Sequence, residues 1–468
     1  MLRLQGPPGC GGRRMIRRSH VQRSVFEVLL PDGEKLWSPV LRRIDEVLED
    51  ERLIDAVVEA LERRRPGSRK KGRPGTPADV VLRMLVLKHL YDWSFDECER
   101  EVRGSLVWRA FCRIDCEIVP DAKTLIRLSH ALGEDTLKKI LERLVGIAYQ
   151  RKIVRGRALR VDTTVVETNI HYPTDSSLLA DGVRVLTREM KKLQVHFGKA
   201  VIAVRDRTRA MGKRAFRLAQ RRRGEVEQKK AQLEKLYRES LRITAAVVGE
   251  AKTAVAAVKG RLTQASAAVV SRIEKTIDLV RRVQAQTRAR VFKGDTHYRD
   301  KVLSLFESAT EAIRKGKAWK PTEFGKLVKI QEADGQFVTD YEVSATRVPD
   351  LKLWGPSLKR HEELFGKPPR LATADAGFFS AANEKLAKEC GVKRVVLPRT
   401  TRSEKYKTKC RWFRRALRWR TGCEAKISVL KRRHGMRRCR YRGTSGMERC
   451  VGFAVIANDL WVIGSARA

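Results

Sequence analysis

The sequence predicts an α/β protein with an all-α N-terminal domain and a long helical insertion. Three observations carry this prediction. Apolar residues recur at helical spacing before residue 150. Short β-branched runs occur on both sides of a central block, and there is no proline between Pro173 and Pro321. At 468 residues the chain is too long for one typical core, so two or three domains are expected.

The N-terminal region is predicted to consist of several helices. Residues 41–61 have helical periodicity. Thr76 before Pro77 predicts a helix start with Thr76 as its hydroxyl cap, and Ser94 with Glu97 predicts a capping box. Two further helices are predicted at residues 123–132 and 136–150. Short helices on compact turns are compatible with a helix-turn-helix DNA reader and equally with a generic helical bundle.

The central region is strongly basic. Residues 184–242 contain 19 Lys and Arg against 6 Asp and Glu. With no proline and few glycines, long helices forming an antiparallel pair are the simplest account. A charge run is usually a solvated face, but this excess of one sign exceeds what mutual ion pairs could neutralise. Contact with a polyanion is therefore at least an equal interpretation.

Strand patterns occur before and after this block. Asp334-Gly335 predicts a hairpin turn. Strands are predicted at 159–166, 326–330, 337–343, 371–374 and 392–397, and helices at 351–366, 381–389 and 411–434. Without the helical block, this order is compatible with an RNase-H-like sheet. The predicted domains are 1–150 (helical, DNA-binding or dimerising), 151–183 with 291–468 (RNase-H-like) and 184–290 (basic helical insertion).

Composition indicates which class of partner the protein binds and in which cellular compartment it is expected. Lys and Arg number 100 against 55 acids, a formal net charge of +45, so a nucleic acid is the expected partner. No apolar run is long enough to cross a bilayer, and residues 1–19 lack a signal-peptide core, with Met15 an alternative start. Nine cysteines, an odd number, favour a reducing cytoplasm.

Three acidic residues are the candidate catalytic groups. Asp162 is expected to end one buried strand, Asp375 a second, and Glu424 lies on the last basic helix. Carboxylates suit Mg²⁺, and two such ions can activate the attacking oxygen and stabilise the leaving oxygen in phosphoryl transfer. Each aspartate alone could be a turn residue at a strand end, but their joint position in this strand order favours the metal-binding interpretation.

The helix around Glu424 adds two cations. Arg420 comes four residues before Glu424 and Lys431 seven after it, so the three lie along one stripe. The ordinary alternative is an intrahelical Arg–Glu pair. Gly422 is unfavourable inside a helix, and it either permits a close approach or marks where the helix becomes regular.

The chain resembles the bacterial insertion-sequence transposases of the DDE class, closest to the ISNCY-type group. The resemblance rests on Val161–Asn169 with His171–Ser177, on Ala374–Gly377, on Arg420–Lys431, and on the closing Ile456–Leu460. The family's third-acid motif combines Tyr, Arg, Glu and Lys, and Leu417 replaces the tyrosine here. The helical segment before Arg151 is similar to the family's N-terminal domain.

This resemblance implies a transposase that binds the terminal inverted repeats of its element as a homodimer or higher oligomer. It implies cleavage of double-stranded DNA with Mg²⁺, or Mn²⁺ as substitute, and strand transfer into target DNA, in the cytoplasm at the nucleoid. Asp162, Asp375 and Glu424 would hold the metals, and Arg420 and Lys431 would contact phosphates. The alternatives are an RNase-H-like nuclease without strand transfer and a domesticated, non-catalytic DNA-binding protein.

Other acids near these motifs are weaker candidates. Glu448 lacks the arginine and lysine partners of Glu424 and is the second choice for the third acid. Glu167, Asp175 and Asp181 follow the first strand without comparable support. His171 is expected to make a structural hydrogen bond rather than to bind metal or DNA.

Overall fold

The structure is a computed structural model that describes residues 17–18, 37–64, 75–115, 117–220, 226–299, 301–314, 322–346, 348–398 and 410–466. It is a mixed α/β protein, mostly helical, and it divides into two compact units. The first comprises Met1–Thr168 and Ile313–Ala468, and the second is Asn169–Ala312. The predicted insertion, 184–290, falls inside the second unit, whereas the predicted helical domain, 1–150, shares the first unit with the sheet.

The N-terminal region is helical, as predicted, and seven helices precede the first strand among the described residues. They are α1 (Pro39–Leu48), α2 (Glu51–Arg64), α3 (Ala78–Leu90), α4 (Phe95–Gly104), α5 (Leu106–Phe111), α6 (Ala122–Ser129) and α7 (Glu134–Gln150). The capping box of Ser94 and Glu97 is confirmed at the start of α4. The prediction that Thr76 caps α3 is wrong. The helix begins at Ala78 without a side-chain cap, because the carbonyls of Arg17 and Arg18 accept its first two N–H groups.

The second unit contains four helices around their own apolar core: α8 (Asp175–Phe197), α9 (Thr208–Ala219), α10 (Val226–Val258) and α11 (Gln264–Lys293). The predicted antiparallel pair is present, since α10 and α11 pack together and are joined by residues 259–263 alone. The prediction of a helix pair is incomplete, because α8 also packs against both α10 and α11.

A mixed sheet forms the centre of the first unit. Its strands are β1 (Ala158–Thr168), β2 (Glu311–Arg314), β3 (Thr322–Ala333), β4 (Val338–Val343), β5 (Leu371–Ala374), β6 (Arg394–Val396) and β7 (Arg438–Cys439). The order is β2-β3-β1-β5-β6, with β4 on β3 and β7 on β1. β1 runs antiparallel to β3 and parallel to β5, and β3 and β4 form the predicted hairpin around Asp334-Gly335.

The described part of this unit also contains four later helices: α12 (Asp350–Phe365), α13 (Ala381–Glu389), α14 (Arg411–Arg433) and α15 (Gly443–Ser465). α15 is buried along most of its length and packs against α1, α3, α7 and β4. A helix that is apolar all round must be covered on all sides. This explains why the N-terminal helices and the sheet share one core. None of the described helices is long and apolar enough to cross a membrane.

A buried ion pair fastens α14 to the sheet. Arg160 on β1 donates to both carboxylate oxygens of Glu332 on β3, with Nε 2.7 Å from Oε2, and its side chain is 4% exposed against 0% for Glu332. Arg160 also donates to the carbonyl of Trp419 on α14, and its guanidinium lies 4.8 Å from the Trp419 ring centre. Burial raises the pKa of Glu332, which the hydrogen bonds and charge of Arg160 oppose.

Gly422 is the residue that lets Arg160 reach α14. A Cβ at this position would collide with Nη1 of Arg160 and would stand 3.2 Å from its Cζ. The close-approach interpretation of Gly422 therefore holds, and the helix is regular from Arg411 onward.

We predict that Arg160→Met destabilises the protein by about 3–5 kcal/mol, because it leaves the Glu332 carboxylate buried without its cation. Urea denaturation of the intact chain measures the change. Arg100→Met is the matched control, since Arg100 is 69% exposed in its pair with Glu101, and it should cost less than about 1 kcal/mol. Equal effects of the two substitutions would contradict this role for the buried pair.

Gly422→Ala should destabilise the protein by about 1–3 kcal/mol, because the added methyl group displaces the Arg160 guanidinium. The control is Gly146→Ala in α7, where an added Cβ meets nothing within 4 Å. There the same change should stabilise the helix by roughly 0.5–1 kcal/mol. If both substitutions stabilise the protein in urea denaturation, the packing role of Gly422 is refuted.

Candidate active site

The two candidate aspartates lie side by side where β1 and β5 stop pairing. The last paired residues are Val161 and Ala374, and the next residue on each strand is Asp162 and Asp375. Asp375 keeps an extended backbone, with φ −71° and ψ 167°. Parallel strands are about 4.8 Å apart, so the two carboxylates start from neighbouring positions. Contrary to the expectation from the sequence, Asp162 does not end its strand, because β1 continues to Thr168 beside β3.

Helix α14 lies against these strands through the face that carries Asp162. Side chains two residues apart on a strand share a face, so Asp162 is on the side of Arg160, which bonds α14. Arg420 on α14 places Nη1 3.5 Å from Oδ1 of Asp375. Burial raises the pKa of the Cys423 thiol well above its usual value, and the charges of Glu332 and Asp162 add to this rise. The residue before Glu424 is therefore close to Asp162.

Glu424 itself is exposed, one turn after Arg420 on the same helix. Asp162 is half-buried and accepts the N–H of Thr163, whereas the exposed Asp375 accepts that of Ala376, both at 2.7 Å. Within the described ranges, no three His, Cys, Asp or Glu side chains are grouped to hold a metal ion. The strand register thus places the two aspartates side by side, and Arg420 lies next to Asp375. Among the described residues, Glu424 does not form a three-carboxylate group with them.

The remaining members of the predicted helix motif also have defined surroundings. Nε of Arg420 is buried and has no hydrogen-bond partner in the part of the chain that the structure describes. Lys431 is half-buried in the last turn of α14. Leu417, which stands where the resembled family has tyrosine, packs against a small apolar cluster of Val396, Phe413 and Ala416.

The weaker acid candidates have other neighbours. Glu448 lies on α15 among Glu134, Asp135 and Arg449, and its pKa is raised first by burial and then by Glu134. Glu167 lies 3.4 Å from Arg438. Within the second unit, Asp175 pairs with Arg290 and Asp181 with Arg184, and Nε2 of His171 lies 3.4 Å from Asp181. Each of the three acids thus has a cationic partner, and the expectation that Glu167 follows the first strand is wrong because β1 continues to Thr168.

A buried polar chain behind the site was not anticipated from the sequence. Nζ of Lys426 lies 3.1 Å from Oδ1 of Asn458, and Asn458 donates to Asp459 at 2.8 Å. Asp459 also accepts the N–H of Val338, so the chain joins α14, α15 and β4. Burial lowers the pKa of Lys426 and raises that of Asp459. The closing segment Ile456–Leu460 was the only sequence signal for it.

Two family models match parts of this chain. A family described as a transposase domain (DUF772) matches residues 25–131, and a family described as a transposase DDE domain matches residues 387–462. The second match includes Arg420, Glu424 and Lys431, whereas Asp162 and Asp375 lie outside both matches.

One curated relative is uncharacterised protein ORF8 in the nfe locus of Rhizobium meliloti. It is 31% identical over 130 residues, which is 26% of this chain. The match covers 63% of the relative, less than two thirds of its length. No solved structure matches the chain. Each of the two family matches covers less than half of the chain, and both agree with the resemblance to the insertion-sequence transposases of the DDE class that the sequence indicates.

Proposed function

We propose that this protein is a DNA transposase that binds the terminal inverted repeats of its element, cleaves the strands there and transfers them to target DNA. The observation that carries the proposal is the pairing register of β1 and β5, which sets Asp162 beside Asp375 under helix α14. The two transposase domains support the same activity.

The donor set suits a hard divalent cation. Asp162 and Asp375 offer oxygen ligands from adjacent strands, and Glu424 would complete the set by turning its exposed side chain toward them. Mg²⁺, with Mn²⁺ as substitute, would supply Lewis-acid activation of the phosphodiester when bound. The residues themselves hold carboxylates at the carboxyl end of the β1–β5 pairing, where DNA would have access to the exposed Asp375.

Arg420 is the proposed phosphate ligand at the cut. Its Nη1 lies 3.5 Å from Asp375, and its buried Nε has no partner, so it has a donor available for an oxygen close to the acids. A guanidinium is suited to phosphate because its donors form a planar fork. Lys431, about three turns after Arg420 on α14, would contact a phosphate farther along the DNA strand.

We infer an RNase-H-like fold for the catalytic part. Antiparallel pairing of β1 with β3 and of β3 with β4, followed by parallel β5 and β6, supports it. The predicted catalytic segments 151–183 and 291–468 would then contribute the sheet and its covering helices.

The helices outside the sheet would bind DNA. In the second unit, acids such as Glu189, Glu239 and Glu250 already pair with basic residues, so the excess cations of residues 184–242 remain for phosphates. The N-terminal helices would recognise the repeats, and the protein would act as a homodimer or larger oligomer at the cytoplasmic nucleoid. Affinity should fall steeply with salt as counterions are released.

Two alternatives have specific discriminating results. An RNase-H-like nuclease would cut DNA without joining it, and a domesticated DNA-binding protein would bind without cutting. The transposase alone transfers the freed 3′ end into a second DNA molecule.

The prediction is loss of both cleavage and strand transfer in Asp162→Asn, Asp375→Asn and Glu424→Gln, each by at least about a hundredfold, because metal coordination contributes several kcal/mol to the transition state. Labelled DNA carrying the element's ends, incubated with Mg²⁺ and target DNA, measures both steps. Binding of the same DNA in a gel-shift assay should persist in all three variants.

Glu448→Gln is the matched control, since Glu448 lies among Glu134 and Asp135 rather than at the strand ends. It should retain activity within about twofold, because it removes no metal ligand. Full activity of Glu424→Gln would eliminate Glu424 as the third ligand. Cleavage without strand transfer by the intact protein would favour the nuclease, and binding alone would favour the domesticated protein.

A further inference from the structure

A second basic site lies at the other end of the parallel strands. It is a groove of about 1070 Å³ that begins at the first residues of β1, β5 and β6, namely Ala158, Leu371 and Arg394. Asp162 and Asp375 follow the last paired residues of β1 and β5 instead. The groove is therefore separate from the candidate active site, although α14 borders both.

The charged side chains that line this groove in the described residues are all basic. Among the described residues, five basic side chains and no carboxylate line it: Arg370, Lys393, Arg394, Arg411 and Arg415. All five are exposed, and among the described residues no acid forms an ion pair with any of them. By contrast, a smaller groove of about 510 Å³ between α2 and α7 mixes its basic residues with Asp55, Glu59 and Glu142. Only the larger groove offers an uncompensated field to an anion.

Tryptophan rings stand among these cations. Trp412 is 40% exposed, and the guanidinium of Arg394 lies 5.1 Å from its ring centre. Phe413 meets Trp412 edge-on, with ring centres 5.6 Å apart. Trp419, two turns later on α14, lines the same groove and contacts Arg160. A partly open indole next to several phosphate-binding groups provides a stacking surface for a base.

The two sites occupy neighbouring faces of one helix. Successive residues on an α-helix are about 100° apart, so the Trp412–Trp419 stripe is offset by one residue from the Arg420–Glu424 stripe. Arg160 connects the two sites. Its guanidinium contacts Trp419 in the groove, and its backbone is part of β1, the strand that carries Asp162. A DNA strand that extended from the groove to the candidate active site would follow the surface of α14.

We propose that this groove binds single-stranded DNA, with one base stacked on Trp412 and the backbone phosphates held by the surrounding arginines. Duplex DNA is the poorer fit, because its bases stack on each other and offer no free face to Trp412. A positive groove with aromatic side chains is the usual arrangement for unpaired nucleic acid. The proposal deepens the proposed function, since strand cleavage at the element ends produces unpaired DNA, but binding itself does not need the acids.

The test is binding of a fluorescein-labelled single strand of about ten nucleotides, measured by anisotropy in EDTA so that no cleavage occurs. Trp412→Ala should weaken binding about fivefold to a hundredfold, because the base then has no ring to stack on. Trp412→Phe keeps a ring and should bind close to the intact protein. Trp461→Ala is the matched control, since Trp461 is 37% exposed on α15, and it should bind like the intact protein.

The charge component is tested with Arg411→Gln combined with Arg415→Gln. The slope of log affinity against log salt should decrease by about 0.7 for each phosphate that these arginines neutralise in the intact protein. Lys385→Gln with Lys388→Gln is the control, since these exposed lysines of α13 pair with Glu389 and Glu384. It should leave the slope unchanged.

Equal binding by Trp412→Ala and Trp461→Ala would overturn the proposal, as would a loss of duplex binding in Trp412→Ala as large as its loss of single-strand binding. Asp162→Asn should bind the single strand as the intact protein does. If the groove binds as expected but the intact protein cuts no DNA, the proposed catalytic function fails while this site stands. If DNA is cut and the Trp412 variants bind normally, the reverse holds.

Discussion

The buried pair of Arg160 and Glu332 holds the site region of the first unit together. Arg160, on β1, pairs with Glu332 on β3, donates to the backbone of α14 and packs on Trp419. A carboxylate with 0% exposure is costly without its cation, so this contact fixes where α14 lies relative to the sheet. Arg420 takes its place beside Asp375 as a consequence. The close fit depends on the missing side chain of Gly422.

Much of this arrangement could be predicted from local patterns. The runs 371–374 and 381–389 are a strand and a helix with the bounds that the sequence indicated, and the Asp334-Gly335 turn joins the expected hairpin. Such features depend on residues near each other in the chain, where propensity, turn chemistry and periodicity act directly. The choice of Asp162 and Asp375 also began locally, with an acid in or after a β-branched run.

What the sequence did not predict depends on contacts between distant segments. Arg160 and Glu332 are 172 residues apart, and Lys426 meets Asn458 across two helices, so no local spacing marks either pair. The expected cap of Thr76 fails for the same reason, since the carbonyls of Arg17 and Arg18 serve α3 instead. The expectation that Asp162 ends its strand fails because local patterns do not reveal which strand pairs with each half of β1. Asp162 lies beside Asp375 because β1 stops pairing with β5 at Val161, and not because β1 ends there.

The most direct test of the account is to locate the metal without relying on turnover. Fe²⁺ substituted for Mg²⁺ on the intact protein, with ascorbate and peroxide, cleaves the backbone close to the bound ion, and mass spectrometry locates the cuts. Carboxylate sites that accept Mg²⁺ also accept such divalent ions. Cuts near Asp162, Asp375 and Glu424 together are expected, suppressed by excess Mg²⁺ and abolished in Asp162→Asn. Cuts confined to other segments, or unchanged in Asp162→Asn, would contradict a metal site shared by these three acids.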